Sequence, residues 1–330
     1  MKKFMNAVDR ILAESLDGFA AAHDDIVALH RNPIFLTRAK SPIRGKAALI
    51  SGGGSGHEPL HAGFIGRGML DAACPGQVFT APTPDQMAAA AKAVDGGAGV
   101  LFIVKNYSGD VMNFEMGAEI AGVDNASLVI NDDVAVENST YTTGRRGVAG
   151  TLIVERIVGA AAEDGADLQA CKALGERVNA ATRSMGVALS SCTVPAAGKP
   201  TFELGDREME MGVGIHGEPG RRRVALDTAD EIAATMLQAI AGDLAAKPGQ
   251  PHLLLVNGFG GTPLMELYLM YDAARRWCSG RNLAIARSLV GNYTTSLEMA
   301  GCSITLSRLD DSLIELWDKP LHTAALRWSC

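Results

Sequence analysis

Two histidines stand where an imidazole can do chemistry. His216 lies in Gly212-Val-Gly-Ile-His-Gly-Glu-Pro-Gly220, with glycines close on both sides. Those glycines leave the ring accessible, and a neutral imidazole, with an ordinary pKa of about 6.5, is nucleophilic near pH 7 and can add to a carbonyl. A structural histidine in a tight turn is the alternative. His57 ends the run Ser51-Gly-Gly-Gly-Ser-Gly-His57, and that run fails the familiar labels on spacing. A dinucleotide fingerprint begun at Gly52 would need glycine where His57 stands. Gly45-Lys46 and Gly198-Lys199 continue with Ala47 and Pro200, not the Ser or Thr of a phosphate loop. A nucleophile elbow around Ser55 again meets His57 at its last glycine. What remains is a run of backbone N–H groups at an expected helix start, able to hold a hydroxyl or anionic oxygen. Plain tight packing is the alternative.

Further candidates follow the same pattern. His57-Glu-Pro-Leu-His61 matches the five-residue zinc string, with both imidazoles on one face of an expected helix. Pro59 fits only a first helical turn and no downstream ligand pattern follows, so the expected metal count is none. In Lys105-Asn-Tyr-Ser-Gly-Asp110 the carboxylate can accept a proton while the lysine polarises a substrate oxygen. The alternative is that Asp110 caps the helix expected over 111–121. Asp132 and Asp133 are adjacent and point differently, which favours a solvated turn over a metal site.

These residues sit at the ends of short apolar runs. Ala47–Ile50, Gly99–Val104 and Ala126–Ile130 read as buried strands, each followed by a polar or glycine-rich turn and then by helical spacing. Such alternation gives βαβ units, whose ligands gather at the carboxyl ends of strands. An amphipathic helix is expected over 5–22 (Val8, Ile11, Leu12, Leu16, Phe19), and a helical pattern over 151–186. The Pro/Gly-rich break Cys192–Pro200 is the best domain boundary. Beyond it come a strand over 208–214, a helix over 229–240, a strand over 252–256 and a helix from Pro263. The expected fold is α/β, with two α/β domains, residues 1–190 and 191–330, built on mainly parallel or mixed sheets flanked by helices.

The 330 residues carry 30 basic and 37 acidic side chains, a net charge of −7, and only 5% aromatics. An acidic chain poor in aromatics argues against nucleic acid or an anionic membrane as partner. No run of about 18 apolar residues exists to span a bilayer, and Asp9, Arg10 and Glu14 interrupt any export signal. The six cysteines (Cys74, Cys171, Cys192, Cys278, Cys302, Cys330) show no metal spacing and are expected as reduced, mostly buried thiols of a cytoplasmic protein.

Six segments in order carry a family likeness: Ser51–Met87, KNYSGDVMNFE (Lys105–Glu115), NDDVAVE (Asn131–Glu137), GRRGVAGT (Gly144–Thr151), TVPAAGKP (Thr193–Pro200) and GVGIHGEPG (Gly212–Gly220). They resemble the dihydroxyacetone kinase family, in particular the substrate-binding K subunit of its bacterial phosphoenolpyruvate-dependent systems, and the likeness covers essentially the whole chain. The resemblance implies a homodimer that holds a ketose as a covalent hemiaminal on His216. It places the other substrate contacts on Gly54, Ser55, Gly56, His57, Lys105 and Asp110, with His57 and Asp110 as the acid/base pair. It implies no cofactor on this chain: ADP or ATP and magnesium belong to a separate L subunit, recharged by a phosphotransferase-type M protein. The segment after GEPG is shorter than in typical K subunits, so a longer ketose such as erythrulose stands beside dihydroxyacetone as substrate. A ligand-sensing coactivator paralogue is the non-enzymatic alternative. Arg145 and Arg146 either help dock the L subunit or lie in a solvated loop.

Overall fold

A computed structural model describes residues 2–136, 142–218 and 220–329. Glu137, Pro219 and Cys330, which belong to segments singled out above, lie outside the described residues. The chain opens with α1 (Ile11–Ala22) and the hairpin β1 (Val27–Arg31) and β2 (Ile34–Arg38). Then follow β3 (Ala48–Ser55), β4 (Gly66–Arg67), β5 (Ala72–Val78), α2 (Pro84–Val94), β6 (Val100–Lys105), α3 (Ser108–Ala121) and β7 (Asn125–Ile130). Two helices, α4 (Gly150–Glu163) and α5 (Leu168–Ala180), lead to β8 (Thr182–Ala188), β9 (Glu208–Met211) and β10 (Arg222–Ala225). The remainder is α6 (Ala229–Asp243), β11 (Pro251–Gly258), α7 (Leu264–Ser279), β12 (Ala284–Gly291), β13 (Gly301–Arg308), α8 (Asp311–Asp318), β14 (Leu321–Thr323) and β15 (Arg327–Trp328).

The first sheet has the order β1-β2-β5-β3-β6-β7, with β5, β3, β6 and β7 parallel and the β1–β2 hairpin antiparallel at its edge. The second has the order β10-β9-β8-β13-β11-β12 and is antiparallel except for β11 with β12. The fold is therefore mixed α/β, and only the first sheet is mainly parallel. β8 precedes the division expected at residue 190 yet pairs with β13 in the second sheet. β14 follows it and pairs with β4.

Alternation along the strands assigns the layers, because successive side chains point to opposite faces. Ile50, Phe102 and Val104 face α2 and α3, whereas Leu49, Leu101 and Ile103 face α4 and α5. In β11, Leu253 and Leu255 join that second cluster while Leu254 and Val256 pack on α6 and α7. The helix α4 thus lies between the sheets, buried on every side from Gly150 to Ala162; a helix without a solvent face is a core helix. It is flanked by helices whose ends follow local rules. Gln86 reaches back to the Thr83 N–H at 2.8 Å before α2, and α3 ends on Gly122 at φ +69°.

The expected 151–186 helix is three elements, α4, α5 and β8. Gly165, at φ +90°, breaks the first from the second, and Arg183 to Val187 pair with β13 to make a strand of what followed. The glycine run also departs from expectation. β3 continues through Ser55, so the run is a buried strand, and a turn rather than a helix follows it directly. A Cβ on Gly52 would lie 2.5 Å from the Cys74 carbonyl oxygen of β5, so tight packing is what these glycines serve there. Gly52→Ala should lose about 1–3 kcal/mol, the usual cost of overpacking, read as a lower midpoint in urea unfolding.

Candidate active site

The carboxyl end of the first sheet meets the β9–β10 hairpin of the second across a cavity of about 690 Å³. Gly54, Phe79, Tyr107, Asp110, Thr201 and His216 line it. The hairpin brings in His216. Its ring packs edge-on against Tyr107 (4.5 Å between centroids), His57 (4.7 Å) and Phe79 (5.2 Å). His57 follows β3 directly and is buried, stacked on Phe79 at 5.0 Å. Phe79 takes the left-handed conformation, φ +57°, uncommon outside glycine, which marks a place where surrounding structure imposes the backbone.

A single hydrogen bond sets the His57 ring. Its Nδ1 lies 2.7 Å from the Thr295 carbonyl oxygen, which only accepts, so the proton is on Nδ1. Nε2 is left with a lone pair and no hydrogen-bond partner among the described residues. Burial first, then the charges of His216 and Lys105, push its pKa well below the ordinary histidine value. His57 is thus a neutral imidazole with a bare nitrogen, the form that accepts a proton.

Lys105 closes β6, with Nζ 2.9 Å from the Gly52 carbonyl oxygen, 2.9 Å from His61 Nε2 and 3.6 Å from Asp110 Oδ2. A Cβ on Gly53 would collide with that ammonium. Asp110 lies inside the first turn of α3, whose N-cap is Tyr107. It is therefore not the cap, and its carboxyl meets Lys105. Burial raises its pKa, against the lowering charges of Lys105 and His216.

His216 has its own support. Glu218, two residues on, accepts from the His216 backbone N–H at 2.8 Å, and its Oε1 lies 3.8 Å from His216 Nδ1. Burial works to raise Glu218, yet the hydrogen bond and charge of His216, with Arg146, hold its carboxyl down at about 2. Arg146 is fully buried, donating from Nε to Asp133 at 2.8 Å and from Nη2 to the Gly212 carbonyl at 2.7 Å, with Nη1 3.7 Å from Glu218.

These contacts correct several expectations. Arg146 is no solvated loop residue and has no surface for docking; Arg145 pairs with Asp243. Asp132 and Asp133 are buried, not a solvated turn. Asp132 accepts from the N–H groups of Val148 (2.8 Å) and Gly150 (2.7 Å) at the start of α4. Residues 57–61 form a turn, so the two imidazoles share no helix face: His57 turns to Thr295 and His61 to Glu155. Of the glycine-run residues only Gly54 lines the cavity, among the described residues; the Ser55 hydroxyl donates to Gly76 O at 2.7 Å and the Gly56 N–H to Glu58 at 3.0 Å. Glu218 and Tyr107 lay beside chosen residues and were legible by proximity. Thr295, 238 positions from His57, carried no signal.

Residues 17–325 match the Dak1 domain. The chain belongs to the Dak1 family. It is 49% identical over 355 aligned positions, covering 99% of both chains, to the dihydroxyacetone-binding subunit of the phosphoenolpyruvate-dependent dihydroxyacetone kinase of Escherichia coli (strain K12). This Dak1 protein also superposes on the dihydroxyacetone kinase operon co-activator with a TM-score of 0.89 at 32% identity, covering 94% of this chain and 97% of that one. The dihydroxyacetone kinase from C. freundii in complex with AMP-PNP and Mg2+ matches with a TM-score of 0.87 at 32% identity, over 99% of this chain and 61% of that chain.

Two outcomes test the support of this Dak1 site. Arg146→Met leaves Asp133 and Glu218 buried without their cation and should cost about 3–5 kcal/mol in urea unfolding. Glu218 has its folded pKa lowered from 4.5 to about 2, so its contribution is complete above pH 4.5 and lost as pH falls toward 2. The stability gap between wild type and Glu218→Gln should therefore narrow across that interval.

Proposed function

We propose that this chain is the ketose-binding subunit of a dihydroxyacetone kinase, holding dihydroxyacetone as a hemiaminal on His216. The observation that carries the reading is the edge contact of His216 with His57 at 4.7 Å, which joins a nucleophile from one sheet to a base from the other. The reaction uses His216 in the tautomer with its proton on Nδ1, on the side of the Glu218 carboxylate 3.8 Å away, and a lone pair on Nε2. Nε2 bonds to the ketone carbon while the carbonyl π pair moves to oxygen. The oxygen gains a proton and the imidazole gives up the one on Nδ1, so the neutral adduct balances. Glu218 steadies the imidazolium passed through on the way.

Covalent addition selects the substrate. A pocket relying on shape would separate dihydroxyacetone from glycerol by about 1–3 kcal/mol, but glycerol has no carbonyl to attack. Once bound, the triose presents a terminal hydroxyl to the phosphoryl donor, and positioning of that kind dominates phosphoryl transfer. His57 Nε2 and Asp110 form the acid/base pair that takes the hydroxyl proton, and Lys105 steadies the developing oxygen charge. ADP or ATP with magnesium, the phosphoryl relay, sits on a separate L subunit that docks over the cavity, with a phosphotransferase-type M protein behind it. In this reading the protein is a cytoplasmic homodimer whose two domains follow the two sheets. The described cysteines, all free and buried, accord with a reducing compartment, and no helix among the described residues is long and apolar enough to cross a membrane.

The likeness to an operon co-activator favours one second reading, a sensor that captures the ketose and does not phosphorylate it. His57, with its unpartnered Nε2, and Asp110 are surplus to a sensor, which favours the kinase. Incubated with an L subunit, phosphoryl donor and dihydroxyacetone, the protein should yield the phosphate ester; capture without turnover supports the sensor. Intact native mass after exposure to dihydroxyacetone or erythrulose should show the bound ketose. His216→Ala should abolish that adduct and raise KM for the ketose at least about tenfold, and an adduct surviving in the variant refutes covalent capture by His216.

A further inference from the structure

Glu155, in the middle of α4, is fully buried, and no step of the proposed reaction uses it. Its Oε1 lies 2.7 Å from His61 Nδ1, and His61 Nε2 lies 2.9 Å from Lys105 Nζ. An ammonium only donates, so Lys105 donates a hydrogen bond to a bare His61 Nε2. The ring proton of His61 is then on Nδ1 and is donated to Glu155. Burial and the Lys105 charge hold the His61 pKa well below its ordinary value, in keeping with a neutral ring. Burial raises the Glu155 carboxyl to about 8, and Oε1 keeps a lone pair for the Nδ1–H in either protonation state.

The ammonium has three donors. One goes to Gly52 O and one to His61 Nε2, which leaves one for the Asp110 side, where Oδ2 stands 3.6 Å away, longer than a hydrogen bond. In the proposed reaction that third donor turns to the ketose oxygen beside Asp110, a residue that lines the cavity. If the His61 proton moved to Nε2, two N–H groups would face each other across 2.9 Å and Lys105 would have to leave its place. The line Glu155–His61–Lys105 therefore decides where the positive charge sits. The sequence placed His57 and His61 together as a zinc string, and His61 found no use in the reaction.

We propose that Glu155 is a positioning residue for phosphoryl transfer: it locks His61 in the Nδ1–H tautomer, which fixes the Lys105 ammonium against the ketose oxygen beside Asp110. This rests on the reading of Lys105 and Asp110 as groups that touch the ketose. Outer partners of this kind orient the group that does the chemistry and tune it without touching substrate.

The experiment has two arms on the full chain. Nitrogen-15 NMR of the histidine rings needs no activity: His61 should show a protonated Nδ1 and a bare Nε2, and a ring protonated on Nε2 overturns the proposal. Kinetics with an L subunit and dihydroxyacetone form the second arm. Glu155→Leu and His61→Phe should each lower kcat by about 10–100-fold, with KM changed less than about threefold because His216 still captures the ketone. Glu155→Gln, whose amide oxygen still accepts from Nδ1–H, should keep kcat within about threefold of wild type. A folded Glu155→Leu protein with wild-type kcat overturns the proposal, as does a Glu155→Gln protein as slow as the leucine variant. If Glu155→Leu does not fold, His61→Phe and the ring assignment decide. A wild type without turnover refutes the proposed function itself, whereas an active wild type with unaffected variants refutes only the role of Glu155.

Discussion

A guanidinium with no exposure to solvent organises this molecule. Arg146 joins Asp133, just beyond the first sheet, to Gly212 and Glu218 on the hairpin of the second. Two carboxylates in the interior are costly unless a cation compensates them, so the hairpin carrying His216 can sit against the first sheet only with Arg146 between them. Glycine at position 214 completes the arrangement, since a Cβ there would lie 2.6 Å from Arg146 Nη1. The His216 imidazole is held by a charge cluster buried from solvent.

A second tie runs the other way. The segment after β12 comes back over the first sheet, where Thr295 O accepts from His57 Nδ1 at 2.7 Å and the Leu297 N–H donates to Gly56 O at 2.8 Å. One sheet thereby sets the tautomer of a histidine that belongs to the other. Burial does the rest. It keeps His57 and His61 neutral and raises Asp110, so proton acceptors and an ammonium coexist within a few ångströms. In water those two imidazoles and the Asp110 carboxyl would keep their ordinary values; the low dielectric of the interior separates their roles.

Much of the candidate site was legible in the chain. His216, His57, Lys105 and Asp110 stood out because glycine-flanked or strand-terminal polar residues have no packing reason to be there, and the structure brings all four to one place. The glycine run read either as an oxygen-binding loop or as tight packing: Gly52 and Gly53 serve close approach by Cys74 and Lys105, and Gly54 lines the cavity. Asp132, Asp133 and Arg146 misled. Adjacent charged residues usually mark a surface, and only partners distant in sequence can make them interior.

The chain by itself determined the alternation of strands and helices, the candidate nucleophile and the polar residues at strand ends, because these depend on local spacing and residue type. Which sheet each strand would join was settled by tertiary pairing. β8 crossed to the second sheet because its partners lie on β13, and β14 returned to β4. Protonation was settled there as well. Whether an imidazole keeps its proton on Nδ1, or a carboxyl sits at about 2 or about 8, depends on burial and on neighbours many residues away. Those are properties of three-dimensional proximity, and no stretch of sequence contains them.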